Sequence, residues 1–519
     1  MKRRAFLSKP FSQSPVENFF AFLEEESNAP RTDAGSPNSG PRRTLAGLEP
    51  YVPTPQQPWD FVRASHLLRR TIFLPTYDQV QFALTKTPGE VVDLLLQDQP
   101  LPASPGGWVD ELLIKPTTTE EKNQYESQNL SRMESLRAWW CSLMKNDSLS
   151  LVEKMTFFWH GHITSEGKEV LIPQLIYHQN QMLRSFALGN FKEMMKRVNS
   201  DAAMLRYLGG DINVKGKPNE NYGRELMELY TIGLDNYTEQ DIKENARVLT
   251  GWRVNEFQSL ESYFDPNLHD SGNKTVMGRT ILGRSTYSGG KEESDDLINI
   301  IFDRQEVATF ICRKLYRTFV YDNPARVDET IVTEMANVFR QNNYELKPAL
   351  GALLKSKHFF DDVNIGAMIK SPANFDVGLY RQLELSASGG AISTEMKSME
   401  QTVIDPPNVK GWEGYRTWIS TTTYPFRKTF AERAVTSKRN DIQQWVKKIA
   451  SYTDVNIFLD TVLALFLPKP ISTTRRKIFL DTLLNGAYAT DWNIDDARFQ
   501  QTTINLLTLI VNAPDYQLH

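Results

Sequence analysis

Four side chains of this sequence are of the types that bind transition metals. His160 and His162 flank a glycine at the end of a predicted helix, so both imidazoles could face one metal ion. His269 and Asp270 lie further on in FDPNLHDSGNKT and could join them, with Asp270 as a ligand or as a carboxylate that orients one. The four residues predict a divalent metal site. The alternative is that the histidines cap or pack against a helix end.

The segment FDPNLHDSGNKT allows two further interpretations. Asp265, Asn267, Asp270 and Asn273 supply oxygen atoms of the kind that calcium prefers, and Gly272 permits a sharp turn. The spacing is not that of an EF-hand loop. The segment is otherwise interpreted as an Asx-rich turn that satisfies its own backbone.

A second set of polar residues shares one face of a predicted helix in PNENYGRELMELYTIG. At about 100° per residue, a narrow arc holds Asn221, Arg224, Glu225 and Glu228, and most of the remaining face is apolar. Because buried carboxylates need partners, this arc must meet a pocket or opposite charges. The pattern predicts Glu225 and Glu228 as catalytic acid–base groups and Arg224 as the residue that orients carboxylates. Candidate counter-ions on a later helix are Arg313, Lys314 and Arg317.

A third segment, DPPNVKGWEGYRTW at residues 405–418, is called the proline–tryptophan loop below. Its prolines predict a stiff, extended turn. Exposed aromatic rings beside polar groups would suit a sugar or peptide groove, whereas buried tryptophans would anchor the loop. The predicted binding residues are Asn221, Lys410, Trp412 and Trp418.

The elements that must position these residues are mostly helices. Apolar residues recur at helical spacing over most of the chain from Trp59 onward, including residues 131–145, 151–159 and 295–360. Between 253 and 290, β-branched and aromatic residues are bounded by Gly and Asn, which predicts a small β-hairpin-like insertion. The predicted fold class is therefore mostly α, a large multi-helix globular domain with that insertion.

The first 58 residues differ from the rest in composition. Residues 28–58 are rich in Pro, Gly, Ser and Thr, so residues 1–58 predict a disordered arm or linker, with a short amphipathic piece at 16–23. Residues 59–519 then form one large domain, with a division into 59–300 and 301–519 as the alternative. MKRRAFLSK resembles a twin-arginine export motif without an apolar h-region, which leaves a cytoplasmic and a periplasmic or envelope location open.

Composition and motifs exclude several function classes. Lys and Arg total 59 against 63 for Asp and Glu, a net charge of −4, which argues against a general nucleic-acid binder. The sequence has no GxSxG, P-loop, HExxH or dinucleotide-binding glycine motif. The two cysteines lie in helical patterns and are interpreted as core residues. The apolar run at 457–467 is too short to span a bilayer.

Several motifs together resemble one protein family. These motifs are PNENYGRELMELYTIG, YTEQDIKENARVLTGW, FDPNLHDSGNKTVMG and DPPNVKGWEGYRTWI, in that order. They are similar to those of the bacterial domain-of-unknown-function family 1800, over about residues 60–517. The resemblance implies no settled activity. Members are often encoded beside a sulfatase-like protein with an export signal, which implies an envelope partner protein.

Two functions from different classes follow. The first is a noncatalytic scaffold, associated with the cell envelope, that binds a partner through its N-terminal arm and the proline–tryptophan loop. The alternative is a metal-dependent or acid–base enzyme, hydrolase-like, whose cavity gathers the His, Glu and Asp residues named above.

Overall fold

The structure is a computed structural model and describes residues 47–449 and 452–519. Residues 1–46 of the predicted arm, with the amphipathic piece at 16–23, lie outside the described residues. The described residues form 22 α-helices and two small antiparallel sheets. The predicted mostly α fold with a small β insertion is confirmed.

Eleven of the helices precede the sheets. They are α1 (Phe61–Thr71), α2 (Tyr77–Leu84), α3 (Pro88–Leu95), α4 (Thr119–Asn146), α5 (Val152–His162), α6 (Gly167–Val170), α7 (Pro173–Ser185), α8 (Phe191–Val198), α9 (Ala202–Tyr207), α10 (Glu220–Glu225) and α11 (Glu239–Val248). A π-helix, Leu226–Thr231, continues α10.

The other eleven helices follow the sheets. They are α12 (Gly289–Phe302), α13 (Gln305–Phe319), α14 (Glu329–Gln341), α15 (Leu346–Leu354), α16 (Pro372–Gln382), α17 (Gly389–Ser398), α18 (Thr423–Ser437), α19 (Arg439–Lys448), α20 (Val455–Phe466), α21 (Thr473–Leu484) and α22 (Ala497–Asn512). A short 3₁₀ helix, Tyr415–Trp418, ends the proline–tryptophan loop.

The β insertion consists of two hairpins rather than one. Strand β1 (Trp252–Val254) pairs antiparallel with β2 (Ser262–Phe264). Strand β3 (Lys274–Val276) pairs antiparallel with β4 (Arg279–Ile281). The segment that joins the hairpins therefore carries His269 and Asp270.

Apolar residues from Tyr51 to Tyr516 belong to one hydrophobic cluster. Residues 47–58 contribute to it, because Tyr51 is buried and its backbone amide donates to the Lys355 carbonyl at 2.8 Å. Cys141 and Cys312 are buried and unpaired within the described chain, as their helical contexts predict. None of the helices in residues 47–449 and 452–519 combines the length and the apolar character needed to cross a bilayer. The single domain over residues 59–519 stays a prediction.

Helix α5 is anchored by a buried ion pair. Arg184 of α7 donates to Glu153 through both terminal nitrogens, at 2.6 and 2.9 Å, and Trp140 of α4 donates its indole N–H to the same carboxylate at 2.6 Å. Because both carboxylate oxygens of Glu153 accept hydrogen bonds, the buried charge is compensated and the pair holds α5 against α4 and α7. The helix ends at His162, as the sequence predicts.

The last turn of the π-helix presents two backbone carbonyls to neighbouring side chains. The Ile232 amide donates five residues back, to the Met227 carbonyl at 3.1 Å, instead of four residues back. The carbonyls of Leu229 and Tyr230, which have no intrahelical donor at this helix end, accept hydrogen bonds from Lys314 and His162, respectively. Short π segments occur often at functional sites, and this one borders the cavity described next.

Candidate anion-binding site

A cavity of about 320 Å³ lies beside the proline–tryptophan loop. Four parts of the chain line it: α5, α13, residues 368–374 and the loop itself. His519 and Gln401 also reach it. A volume in this range suits a small organic ligand or a single side chain of a partner.

One stripe of α5 faces the cavity. Its residues follow helical spacing of three and four: Lys154, Phe157, Phe158, Gly161 and His162. The opposite side of the helix is held in the core by Met155 and Trp159, which are both fully buried. The sequence of α5 thus places a lysine and a histidine, with aromatic rings between them, on the face of the helix that lines the cavity.

The proline–tryptophan loop packs directly on this stripe. The Trp412 ring stacks on Phe157, with centroids 5.4 Å apart and planes 17° from parallel. Trp412 also lies against Gly161, where a Cβ atom would come within 3.3 Å of the ring. The loop brings three of the four predicted binding residues, Lys410, Trp412 and Trp418, to the cavity.

Two lysines, the buried Lys154 and the partly buried Lys314, contribute amines without a carboxylate partner. Lys154 donates to the Asn374 amide oxygen and lies 4.6 Å from the centroid of the Phe73 ring. Lys314 lies 2.9 Å from His162 Nδ1 and 3.3 Å from the Leu229 carbonyl oxygen. Burial lowers the pKa of each amine to about 7, with Arg70 adding to the effect at Lys154 and Arg317 at Lys314.

Arg317 and Asp322 form the next part of the lining. The Arg317 Nε donates to the backbone carbonyl of Asp322 at 3.2 Å rather than to its carboxylate. The Asp322 carboxylate accepts from the Tyr415 amide at 2.9 Å, which ties the loop to the segment after α13. Burial raises the pKa of Asp322, although Arg70 and Arg317 oppose the effect. Asp322 is therefore a carboxylate of the lining whose nearest contacts are a backbone amide and the Arg317 side chain.

The two histidines of the HGH motif have different surroundings. His162 lines the cavity, and its Nε2 lies 3.0 Å from the Tyr230 carbonyl oxygen. His160 packs edge-on against Trp140, at 5.1 Å between centroids, and its Nε2 has no hydrogen-bond partner among the described residues. Burial lowers the pKa of His160 to about 3 and that of His162 well below its usual value. Both imidazoles are therefore neutral at physiological pH.

His269 and Asp270 lie in separate polar contacts. His269 Nδ1 lies 2.8 Å from the Thr250 carbonyl oxygen, and its Nε2 lies 3.1 Å from Glu293. Asp270 pairs with Arg247 at 2.7 Å. Among residues 47–449 and 452–519, no group of three or more His, Cys, Asp or Glu side chains is placed to hold a metal ion. The four predicted ligands do not lie together around one point. Metal binding stays a prediction, and measurement of the metal content of the purified protein tests it.

The oxygen-rich segment around His269 makes the contacts of Asx turns. Asp265 accepts from the Asn267 amide at 2.9 Å, and Asp270 accepts from the Gly272 amide at 3.0 Å. Asn273 accepts from the Gly283 amide at 3.0 Å. These side chains satisfy nearby backbone groups, which agrees with the Asx-turn interpretation of the sequence.

The predicted acid–base group surrounds the junction of α10 and the π-helix. Arg224 pairs with Glu239 at 2.7 Å and with Glu220 at 3.4 Å, and Glu228 accepts from the Tyr237 hydroxyl at 3.0 Å. Glu225 is half-buried and has no hydrogen bond or salt bridge within the described chain. Burial and the neighbouring Glu228 raise the pKa of Glu225, and the nearby Lys410 opposes this effect.

One detail of the earlier predictions does not hold. The three candidate counter-ions on α13 do not pair with the glutamates, because Arg313 pairs with Glu329 and the other two contact His162 and backbone carbonyls. This error arises because helical spacing defines a face but not the neighbour that the face meets. Asn221 is exposed and lies outside the cavity lining, and its binding role stays a prediction.

Sequence reasoning missed most of the cavity lining, including the polar residues Lys154, Asn374 and His519. Lys154, Asn374 and His519 belong to parts of the chain that are far apart in sequence, and only the structure brings them together. The position of Lys154 could have been predicted from the sequence, because it is a cation eight residues before His162 on the same helical stripe. No sequence pattern indicates that Asn374 or His519 lies at the cavity.

The structure is a mostly α protein with a cavity lined by lysine, arginine and aromatic side chains. The family described as Protein of unknown function (DUF1800) matches residues 66–518, and the chain belongs to this family. The resemblance noted in the sequence motifs is thereby confirmed. No curated protein and no solved structure matches the chain.

Proposed function

We propose that this chain is a binding protein that holds an organic anion in the cavity beside the proline–tryptophan loop. The observation that carries the proposal is the charge of the lining. Four basic side chains line the cavity, against two acidic ones: Lys154, Lys314, Arg317 and Lys410, against Asp322 and Glu413. A cavity whose lining carries more basic than acidic side chains attracts anions.

None of these cations is committed to a carboxylate. In the described part of the chain, Lys154, Lys314, Arg317 and Lys410 form no salt bridge, and the first three contact an amide oxygen, an imidazole or backbone carbonyls. Buried cations without a counter-ion cost free energy, which is the reason that the pKa values of both buried lysines fall. A carboxylate, phosphate or sulfate group of a ligand would supply the missing counter-charge.

The aromatic part of the lining indicates an organic ligand rather than a simple ion. Phe157, Phe158, Trp412 and Trp418 line the same space as the cations. Rings of this kind pack against apolar or sugar surfaces next to a charged group. The ligand is a small organic acid, or an acidic group carried by a partner protein as the noncatalytic scaffold hypothesis requires. The sulfatase-like envelope partner implied by the family resemblance stays a prediction.

Acid–base catalysis is the second candidate function. The observation that favours it is Glu225, a half-buried carboxyl with a raised pKa and no hydrogen-bond partner in the described chain. Lys410, which lines the cavity, is close enough to Glu225 to affect its pKa. If the protein is an enzyme, Glu225→Gln abolishes turnover of its substrate while ligand binding persists.

Calorimetric titration of the protein with small anions tests the binding function. Oxalate, phosphate, sulfate and a short aspartate peptide serve as probes for the wild type, Arg317→Leu and Lys410→Ala. We expect Arg317→Leu to weaken binding at least about tenfold, because a charged hydrogen bond contributes roughly 1.5–3 kcal/mol, and Lys410→Ala to weaken it about threefold. Lys122→Ala on the exposed part of α4 is the matched control and leaves binding unchanged.

The probes separate the two sources of the anion. Binding of oxalate alone indicates a small organic acid, whereas binding of the aspartate peptide alone indicates an acidic segment of a partner. Absence of binding for every probe, or binding that Arg317→Leu and Lys410→Ala leave unchanged, contradicts the proposed function.

Anion affinity should fall as pH rises above neutrality. Lys154, whose pKa is about 7, is protonated below pH 7 and loses its charge above it, and the groups that face it are Arg70 and His519. A bound anion favours the protonated amine, so the complex takes up a proton. We expect affinity to decrease by up to about tenfold per pH unit above pH 7 for each lysine that must be protonated. Titrations at several pH values, in buffers of different ionisation enthalpy, measure both effects, and a flat profile contradicts this assignment.

A further inference from the structure

The stripe of α5 that lines the cavity divides into three parts. Lys154 lies at its start, Phe157 and Phe158 follow, and Gly161 and His162 lie at its end. Each residue of an α-helix adds about 1.5 Å, so roughly 12 Å separates the backbone at the start of the stripe from the backbone at its end. A cavity of about 320 Å³ that follows this stripe is longer than it is wide. The lining therefore has two polar ends with an aromatic middle.

The first end is polar and carries a buried lysine. Lys154, Asn374 and His519 lie there, and each is less than a tenth exposed. The Lys154 amine donates to Asn374 Oδ1, and Asn374 Nδ2 lies 3.5 Å from His519 Nε2. Within residues 47–449 and 452–519, no carboxylate pairs with Lys154. This end, called the Lys154 end below, thus has a cation without an anionic partner.

Arg70 adds positive charge behind the Lys154 end. Its side chain is fully buried, and its Nε and Nη1 atoms have no hydrogen-bond partner among the described residues. It is close enough to Lys154 and His519 to lower the pKa of both. Asp322 offsets part of the Arg70 charge, but its carboxylate accepts from the Tyr415 amide and forms no ion pair with Arg70. An anionic group is therefore attracted to this end of the cavity.

The second end takes its basic side chains from two other elements. Lys314 of α13 lies beside His162, with 2.9 Å between its Nζ and the imidazole Nδ1. Lys410 directly precedes Gly411, where a Cβ atom would lie 2.0 Å from the carbonyl oxygen of Gly161. Both lysines line the cavity. Basic side chains thus lie at each end of the α5 stripe, and this second group is called the Lys410 end below.

The middle of the stripe has no charged side chain. The residues of α5 that line the cavity between Lys154 and His162 are Phe157, Phe158 and Gly161. Trp412 covers this part from the proline–tryptophan loop and stacks on Phe157. A charged group placed here would lose water without gaining a partner, whereas an apolar or aromatic group would pack against the rings.

We propose that the ligand is an elongated organic dianion, with one acidic group at each end of an apolar or aromatic core. This inference rests on the proposed function, because it assigns a ligand class to the same anion-binding cavity. One acidic group meets Lys154, the other meets Lys410, and the core lies against Phe158 and Trp412. An acid with a single anionic group, or with two such groups close together, engages one end only. The ligand is thus a small diacid rather than an acidic segment of a partner.

Calorimetric titration of the full-length protein with matched aromatic acids tests the inference. The biphenyl diacid has a para carboxylate on each ring, the biphenyl monoacid lacks one of them, and terephthalate has two carboxylates on a single ring. At pH 6, where Lys154 is protonated, we expect the biphenyl diacid to bind at least about tenfold more tightly than the monoacid. The reason is that its second carboxylate accepts a charged hydrogen bond from the opposite end. Terephthalate should have no such advantage over benzoate, because its core is too short to reach both ends.

Replacement of a lysine at each end locates the two carboxylates. Lys154→Met keeps an unbranched side chain but removes the charge, and it should lower the ratio of diacid to monoacid affinity from at least about tenfold to below about threefold. Lys410→Met should lower the same ratio by a smaller factor, because Lys314 remains at that end. Lys291→Met removes an exposed lysine that pairs with Asp295 and should leave the ratio unchanged.

The measurements distinguish failure of the inference from failure of the proposed function. Equal affinities of the biphenyl diacid and monoacid, or a ratio that Lys154→Met leaves unchanged, overturn the elongated dianion, while monoacid binding retains the proposed function. The same advantage for terephthalate over benzoate also overturns the inference, because one end then binds both carboxylates. Absence of binding for all of these acids and for oxalate overturns the two together. Monoacid binding by Lys154→Met shows that the cavity is still formed, and if that variant does not fold, the comparison of the acids on the wild type still decides.

Discussion

Replacement of Lys274 by methionine is expected to destabilise the protein by about 3–5 kcal/mol, because it leaves a buried carboxylate without its cation. The side chains of Lys274 and Glu293 are both fully buried, and the amine lies 2.5 Å from the carboxylate. His269 Nε2 lies within 3.1 Å of the same carboxylate and 3.2 Å of the same amine. Urea denaturation of the variant and the wild type measures the difference.

The pH dependence of this effect has a definite sign. Burial raises the pKa of Glu293, but hydrogen bonds from His269, Lys274 and the Arg284 backbone together hold it below its usual value. A carboxyl with a depressed pKa contributes stability above the pKa of the unfolded chain and loses it as pH falls. In Lys274→Met, the loss of stability should therefore be largest near neutral pH and smaller in acid, where Glu293 takes up a proton.

A matched substitution and a double variant serve as controls. Lys291→Met removes an exposed lysine that pairs with Asp295, and a change within about 0.5 kcal/mol is expected. Lys274→Met combined with Glu293→Gln removes both charges and should recover part of the stability lost in the single variant. A cost below about 1 kcal/mol for Lys274→Met would show that Glu293 is not held by this pair.

The same cluster shows where sequence reasoning reaches its limit. His269 and Asp270 stand next to each other in the chain and were predicted as ligands of one metal. Their partners, Glu293 and Arg247, lie about two dozen residues away on opposite sides of them in sequence. A short motif gives the chemical types of its side chains, but the groups that satisfy them come from packing between separate elements.

The helices themselves were largely predictable. Apolar spacing predicted helices over residues 131–145 and 151–159, where α4 and α5 are found. These signals are local, so a single sequence contains them. The conversion of α10 into a π-helix was not predicted, because a helical wheel at 100° per residue assumes an unbroken α-helix.

The cavity was predictable only in pieces. The HGH motif and the proline–tryptophan loop were each identified from residue types, and Lys314 and Arg317 were named as candidate counter-ions for Glu225 and Glu228. These parts form one cavity only through contacts between residues that lie about 250 positions apart in sequence, such as the stacking of Trp412 on Phe157. Nothing in the spacing of either motif indicates that contact. The binding function is accordingly argued from the assembled cavity and not from any one motif.

Replacement of Gly411 by alanine is expected to displace the proline–tryptophan loop and remove anion binding. Gly411 has φ of +77°, and a Cβ atom there would lie 2.0 Å from the carbonyl oxygen of Gly161, in the last turn of α5. The left-handed backbone costs an alanine about 1–2 kcal/mol, and the clash with a helix backbone adds to it. Since Lys410 and Trp412 flank this residue, the loop must move away from α5 and take both side chains with it.

Gly216 provides a control that separates strain from contact. Its φ is +80°, close to that of Gly411, but a Cβ atom there would meet nothing within 4 Å. Gly216→Ala should therefore cost only the 1–2 kcal/mol of the left-handed backbone, roughly, and leave oxalate binding unchanged. Gly411→Ala should cost more in urea denaturation and weaken oxalate binding at least about tenfold, through the loss of the Lys410 and Trp412 positions. Equal stability losses and equal oxalate affinities in the two variants would mean that the loop does not depend on its close approach to Gly161, and that the cavity owes its form to α5 and α13 alone.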